Sequence, residues 1–174
     1  MEEKYGIWID DILLCEYLKS LNKQARVYFY RAEHYLKEVN SVNKSPKAQM
    51  LTKMGVKVVE RPIQLNYSKK EGRMVRSGNL DVPLAMNMVD FLHKHGGRVK
   101  KVILATGDGD LFYLLDRIRG HRTQNPIRAD VMGWNGITSH LLLEQCDHFF
   151  PLDRILPTIK TKYAPASDLY AGVR

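Results

Sequence analysis

The chain has 174 residues, enough for one domain with a real core, and its 44% hydrophobic and 26% charged content is that of an ordinary soluble globular protein. A formal net charge of +8 and a pI near 9.5 favour a polyanionic partner such as nucleic acid or an anionic membrane surface. No apolar run approaches the ~20 residues of a membrane span. The acidic start, Met1 to Lys4, shows no signal peptide, and Cys15 and Cys146 lack metal-ligand spacing, so a cytoplasmic protein with reduced, structural thiols is expected.

Tyr5 to Ile9 reads as a first strand ending at Asp10 and Asp11, and helical spacing follows through Ile12, Leu13, Cys15, Leu18 and Leu21. Ala25 to Tyr30 is a second strand, rich in aromatic and branched residues. Ser45 suits the cap of a helix with Pro46 in its first turn, running to Met54 and stopped by Gly55. Val56 to Glu60 is a third strand, halted at Pro62. Residues Asn66 to Asn79 are polar and carry Lys69, Lys70, Arg73 and Arg76 against the single acid Glu71, which predicts a loop or loose hairpin. Asp81 to His95 is a helix apolar over much of its circumference, through Val82, Leu84, Ala85, Met86, Met88, Val89 and Leu92. Such a helix must be covered on more than one side.

The stretch from Lys100 to Asp116 organises the rest. Val102 to Ala105 form a short apolar run suited to a strand buried on both faces. Thr106-Gly107-Asp108-Gly109-Asp110 breaks it, and Leu111, Phe112, Leu114, Leu115 and Ile118 resume with helical spacing. Ile127 to Met132 is a fifth strand, Ile137 to Gln145 a short helix, and Asp147 to Leu152 a last strand. Pro157 to Arg174 has no periodicity and reads as a tail or linker beyond a domain of residues 1–156. Strands alternating with helices give an α/β fold with a mainly parallel sheet.

In an open parallel sheet, ligands bind beyond the carboxyl ends of the strands. This reading puts Asp10 at the end of strand one, Asp108 and Asp110 at the end of strand four, and Asp81 at the start of the helix entering strand four. Carboxylates meeting at one edge need a neutralising cation, and hard oxygen ligands select Mg²⁺ or Mn²⁺. Thr106 adds a hydroxyl for a metal-held water or a phosphate oxygen. The basic loop of Lys69, Lys70, Arg73 and Arg76 suits a nucleic-acid backbone.

Plainer roles fit the same residues. Asp81, Asp108 and Asp110 also suit helix caps or a turn, and Asp11 is the default cap of the first helix. The basic cluster also suits a solvated loop, His93 and His95 suit partners of a helix dipole, and Cys15 suits packing. Gly107-Asp108-Gly109 lacks the third glycine of a dinucleotide fingerprint, Phe112 holding that place. A Walker loop, a G-x-S-x-G elbow and a calcium loop are likewise missing from the sequence.

Three segments carry a family likeness: Trp8 to Asp10 (WID), Gly78 to Leu92 (GNLDVPLAMNMVDFL) and Ile103 to Leu115 (ILATGDGDLFYLL). In this order they resemble the NYN domain, the LabA-like branch of the PIN-like nucleases. The closing pattern from Gly136 and Ser139 through Leu142 to Asp147, Phe149 and Leu152 is similar too. The resemblance covers roughly residues 4–153. It implies a Rossmann-like, PIN-like three-layer α/β/α sandwich and metal-dependent ribonuclease activity. Asp10, Asp81, Asp108 and Asp110 match the family's acids, and Ser139 falls in the closing pattern as a substrate-binding residue.

Two positions depart from the family pattern. Leu13 stands where an asparagine is usual, and Asn87 where a second aspartate is common in the central helix. Asn87 can still coordinate a metal through its amide oxygen but brings no charge, and Asp90 lies one turn beyond. The expected function is an Mg²⁺- or Mn²⁺-dependent endoribonuclease. Asp10, Asp81 and Asp108 hold the metal in that reading, and Asp110 and Asn87 orient ligands or water. A nucleic-acid-binding scaffold that has lost the chemistry, and a small-molecule phosphatase, rank second and third. The expected partner is RNA, with no membrane and with a homodimer left open.

Overall fold

A computed structural model describes residues 8–33, 45–68, 72–77, 79–121 and 126–161. The chain divides into two compact units: residues 1–29, 36–60 and 155–174 in the first, 30–35 and 61–154 in the second.

In the first unit, β1 (Trp8–Ile9) pairs antiparallel with β9 (Lys160–Thr161), and the Asp10 N–H continues the ladder to Ile159 O at 2.8 Å. Helix α1 (Asp11–Ser20) follows at once. Its cap is Asp10 and not Asp11, a correction with a backbone cause. Asp10 stays extended at φ −83° and ψ 110°, so its Oδ1 accepts from Ile12 N at 2.8 Å and Leu13 N at 3.2 Å. Asp11, already helical, pairs instead with Lys47 at 2.7 Å.

Strand β2 (Tyr28–Glu33) begins three residues later than the sequence suggests and pairs with β3 (Lys57–Pro62). Strand β3 runs two residues past Glu60 and ends at Pro62, the residue expected to halt it. Helix α2 (Pro46–Lys53) is capped as expected by Ser45, which accepts from Ala48 N at 3.2 Å, and Gly55 turns the chain out with φ +79°. Cys15, Leu51 and Val56 form the buried centre here, with Ile12, Val27, Phe29, Met54 and Val58 packed on it. Burial raises the Cys15 thiol to a pKa of about 11, with the Asp11 carboxylate adding to the rise, which fits its packing role. Where a tail is expected from Pro157, helix α6 (Leu156–Ile159) and β9 are formed and Ile159 is buried.

The second unit opens with an antiparallel hairpin, β4 (Gln64–Ser68) and β5 (Arg73–Ser77). It is the hairpin alternative for this region, begun two residues before Asn66. Lys69, Lys70 and Glu71 lie outside the described residues. Helix α3 (Asp81–His95) has the bounds the sequence implies. Among the described residues it is covered on one side, where more than one was expected. Leu84, Ala85, Met88 and Leu92 enter the core, while Val82, Met86 and Val89, spaced four and three apart, stay exposed among the described residues.

Strands β6 (Lys101–Ala105), β7 (Arg128–Gly133) and β8 (His148–Pro151) form a parallel sheet in that order, with Val102 beside Ala129 and Val131 beside Phe149. Alternation along the strands sends Val102, Leu104, Ala129 and Val131 to one face. That face meets Leu92 of α3, Leu114, Leu115 and Ile118 of α4 (Phe112–Arg119), and Leu142 of α5 (His140–Gln145). The α/β class with a parallel sheet is therefore observed, and it gives one sheet edge at which three strands end together.

Candidate active site at the carboxyl edge of the parallel sheet

Where β6 ends, the chain runs through Thr106 and Gly107 into a 3₁₀ turn at Gly109–Leu111, then α4. Asp108 heads this turn. Its Oδ1 accepts from Asp110 N at 3.0 Å, and its own N–H donates to Thr106 Oγ1 at 3.1 Å. The capping role is thus real for Asp108, and it occupies one carboxylate oxygen. Asp108 and Asp110 are both exposed. Among the described residues, Asp110 has no side-chain hydrogen bond or ion pair, and Asp108 has only the turn bond.

The loop after β7 closes over this turn. Ser139 N donates to Gly107 O at 3.1 Å, and a Cβ on Gly109 would stand 2.6 Å from Ser139 Oγ. Glycine is needed at 109 for that approach. Ser139 occupies the cap position of α5 without making a side-chain cap bond, so its hydroxyl lies beside the acidic turn. Thr138, buried, donates to Trp134 O at 2.9 Å and fixes the loop. Asp153, just past β8, accepts from Asn135 N at 3.0 Å and ties the third strand end to the same loop. Sequence reading missed Thr138 and Asp153. The usable signal was their place one turn after strand ends, where polar residues satisfy loop backbone.

Thr106, Asp108, Asp110 and Ser139 are therefore brought together by hydrogen bonds and close approach. Asp81 is in the same unit, at the first position of α3, half-buried. It is not the cap: the Leu80 position makes no side-chain cap bond, and Asn79 Oδ1 reaches Val82 N at 3.4 Å. Asp81 has no side-chain partner among the described residues, and a negative charge in a first turn is favoured by the helix dipole. Asn87 is half-buried two turns along α3, and Asp90 is exposed. Arg73 and Arg76 lie on β5. Asp10 belongs to the first unit, where it caps α1.

The donors around the turn are carboxylates and hydroxyls, with no lysine or arginine paired to either acid among the described residues. That chemistry fits a hard divalent cation. Among the described residues, no three acids, histidines or cysteines form a metal-holding group.

The opposite edge of the sheet carries acids of another kind. Asp147 Oδ2 accepts from Ala129 N at 2.7 Å and Oδ1 from Arg119 at 2.9 Å. The Ala129 N–H first, then the Arg119 guanidinium, hold its pKa below the ordinary value. Asp130, fully buried in β7, takes Arg128 Nε on Oδ1 at 2.7 Å, and its Oδ2 has no hydrogen-bond partner.

The NYN domain family model matches residues 6–153. No curated protein matches the sequence. The crystal structure of a protein of unknown function from Vibrio parahaemolyticus is similar in fold, with a TM-score of 0.59 and 19% identity over 92% of this chain and 86% of that one.

Proposed function

The chain belongs to the NYN domain family, a group of PIN-like nucleases, and from that premise we propose that it is a divalent-metal-dependent endoribonuclease. The observation that carries the proposal is the Asp108–Asp110 turn. Two exposed carboxylates stand at the end of a buried parallel strand, pinned by Ser139, and neither is neutralised by a basic side chain among the described residues.

Asp108 and Asp81, with Asp10 added by the family pattern, would hold Mg²⁺ or Mn²⁺, and Asn87 would contribute a neutral amide oxygen. The bound ion would supply charge stabilisation at the phosphate and a nucleophilic water at neutral pH. Asp110 would orient the attacking water and take its proton, and in-line displacement would release the 3′-oxygen as a hydroxyl, protonated from solvent, and leave a 5′-phosphate on the product. Thr106 and Ser139 donate their hydroxyls to phosphate oxygens. Lys69, Lys70, Arg73 and Arg76 hold the backbone.

Incubation of purified protein with RNA and Mn²⁺, beside the Asp108→Asn variant, tests this. Asparagine keeps the acceptor for Asp110 N, so the turn survives. The expected loss of cleavage exceeds about 100-fold, with RNA affinity kept within about threefold. A variant that cuts as fast as wild type would reject the assignment.

Leu13 and Asn87 favour a second reading, a nucleic-acid-binding scaffold that has lost the chemistry. Leu13 is half-buried in α1 and offers no polar atom beyond its backbone. Failure of the protein to bind Mn²⁺ at millimolar concentration, while still binding RNA, would select it.

A further inference from the structure

The amino edge of the β6–β7–β8 sheet collects positive charge. From His93 to Gly107 the chain holds Lys94, Arg98, Lys100 and Lys101 and not one acid. Lys94 lies in the last turn of α3, Arg98 in the 3₁₀ turn after it, and the other two lysines stand where β6 begins. Backbone pairing ties them to the start of β7: Arg128 N donates to Lys100 O at 3.0 Å, and Lys101 lies beside Arg128 in register. All four basic residues are exposed.

The fold uses other cations at this edge. Asp147 takes Arg119 and Asp130 takes Arg128. Among the described residues, none of the four has a carboxylate partner, and Lys101 Nζ stands instead 5.8 Å from the centre of the Phe150 ring. The exposed acids in the last turns of α4 and α5, Asp116 and Glu144, pair with none of them. Lys94 and Arg98 have a plainer use, since cations are favoured where a helix dipole ends. Lys100 and Lys101 lie beyond that influence, which fades within the last turn. Successive strand positions point to opposite faces, so this pair puts charge on both sides of the edge.

We propose that the amino edge is a second nucleic-acid-binding surface, which holds the sugar–phosphate backbone of the RNA away from the cut. The proposal rests on the nuclease reading above and adds a contact with the same partner. Strand β6, of five residues at about 3.3 Å each, sets the lysines about 16 Å from the acidic turn. That distance equals about five stacked nucleotides at about 3.4 Å each, so the phosphates held here are not the one attacked. Separate cations without internal partners suit a row of phosphates, because each contact releases a counterion. The two edges differ in what they need. Bare carboxylates repel phosphate until a metal is bound, whereas the lysines attract it with no metal at all.

Binding of a labelled RNA of about twenty nucleotides to wild-type protein in EDTA tests this, since the chain then exceeds the span between the edges and the candidate site lacks its metal. Lys100→Gln combined with Lys101→Gln should weaken binding about 5- to 30-fold at about 0.1 M salt. It should also lower the slope of log affinity against log salt by about 1.4, from two contacts at about 0.7 each. Lys100→Arg with Lys101→Arg keeps both charges and should bind like wild type. Lys23→Gln with Lys53→Gln removes the same charge from exposed positions of the first unit and should change affinity by less than about twofold.

An equal loss in the Lys23 and Lys53 pair would reduce the effect to net charge, and an equal loss in the arginine pair would assign it to packing on Phe150. Either result overturns the surface. So does wild-type binding to vesicles of phosphatidylserine and phosphatidylcholine that the Lys100 and Lys101 glutamine pair abolishes while RNA affinity holds, since the edge would then face a membrane. With Mn²⁺ added, protein that cuts RNA and binds it equally well with the glutamine pair loses this surface and keeps the nuclease reading. Protein whose RNA binding falls in the glutamine pair but which cuts nothing keeps the surface and loses that reading. Protein that neither binds nor cuts RNA loses both.

Discussion

The two edges of the β6–β7–β8 sheet handle negative charge in opposite ways. At the amino edge, Asp147 and Asp130 are each held by an arginine, and Asp147 by a backbone N–H as well. At the carboxyl edge, Asp108 and Asp110 face solvent, and neither is held by a basic side chain among the described residues. Asp147 and Asp130 are thus neutralised from within the chain. Exposed acids without a counter-charge are open to one from outside, which a metal would bring in the proposed reading. That contrast is the reason the proposed chemistry is placed at the carboxyl edge.

Breaking the amino edge should cost stability and not catalysis. Arg128→Ala leaves a fully buried carboxylate without its cation, and the guanidinium it removes is half in water at 49% exposed. A loss of about 3 kcal/mol is expected in urea denaturation, at the low end of the range for breaking a buried pair. Arg128→Met combined with Asp130→Leu should recover most of it. An unchanged midpoint in Arg128→Ala would show that Asp130 does not depend on this partner.

Asp10 sharpens the comparison because it carries a fold role and a proposed chemical one in a single carboxylate. Asp10→Ala should lower stability by about 1 kcal/mol through loss of the cap. Asp10→Ser should restore stability, since a serine hydroxyl also accepts from the first helical N–H groups. Cleavage should stay low in both, because serine brings no charge. Recovery of cleavage in Asp10→Ser would confine Asp10 to capping.

The smallest effect is expected at Asp147. Its folded-state pKa is depressed, so its contribution is complete above the ordinary aspartate value of about 4 and is lost as pH falls through the lower folded value. Asp147→Asn should therefore lower the urea midpoint at pH 6 by the equivalent of less than about 1 kcal/mol, as for a partly exposed pair. The gap to wild type should begin to narrow as pH falls below about 4 and close below the folded value. A gap that does not narrow at all as pH falls would assign the effect to packing.

What could be read from the sequence follows the strength of each local signal. Helix α3 has fifteen residues of one periodicity, and β6 has an apolar run closed by glycines, so both were legible, with the acidic turn between strand and helix. The cap of α1 was not, because Asp10 and Asp11 are chemically alike and only backbone conformation separates them. The hairpin start was hidden by Pro62, which ends β3 and looks like the end of all local strand structure. Asp130 went unremarked inside an apolar strand. Its signal was Arg128 two residues earlier, since positions two apart share a face. The two-residue strand β9 is too short for any periodicity to show.

That short strand has a practical consequence. The family pattern stops at residue 153, yet the carbonyl that receives the Asp10 N–H is Ile159 O, and the edge of β1 is closed by Lys160 and Thr161. Protein trimmed to the family boundary would keep Asp10 and lose the backbone brace beside it. Its inactivity would then not bear on the proposed chemistry, and experiments on this protein should carry the chain through Thr161.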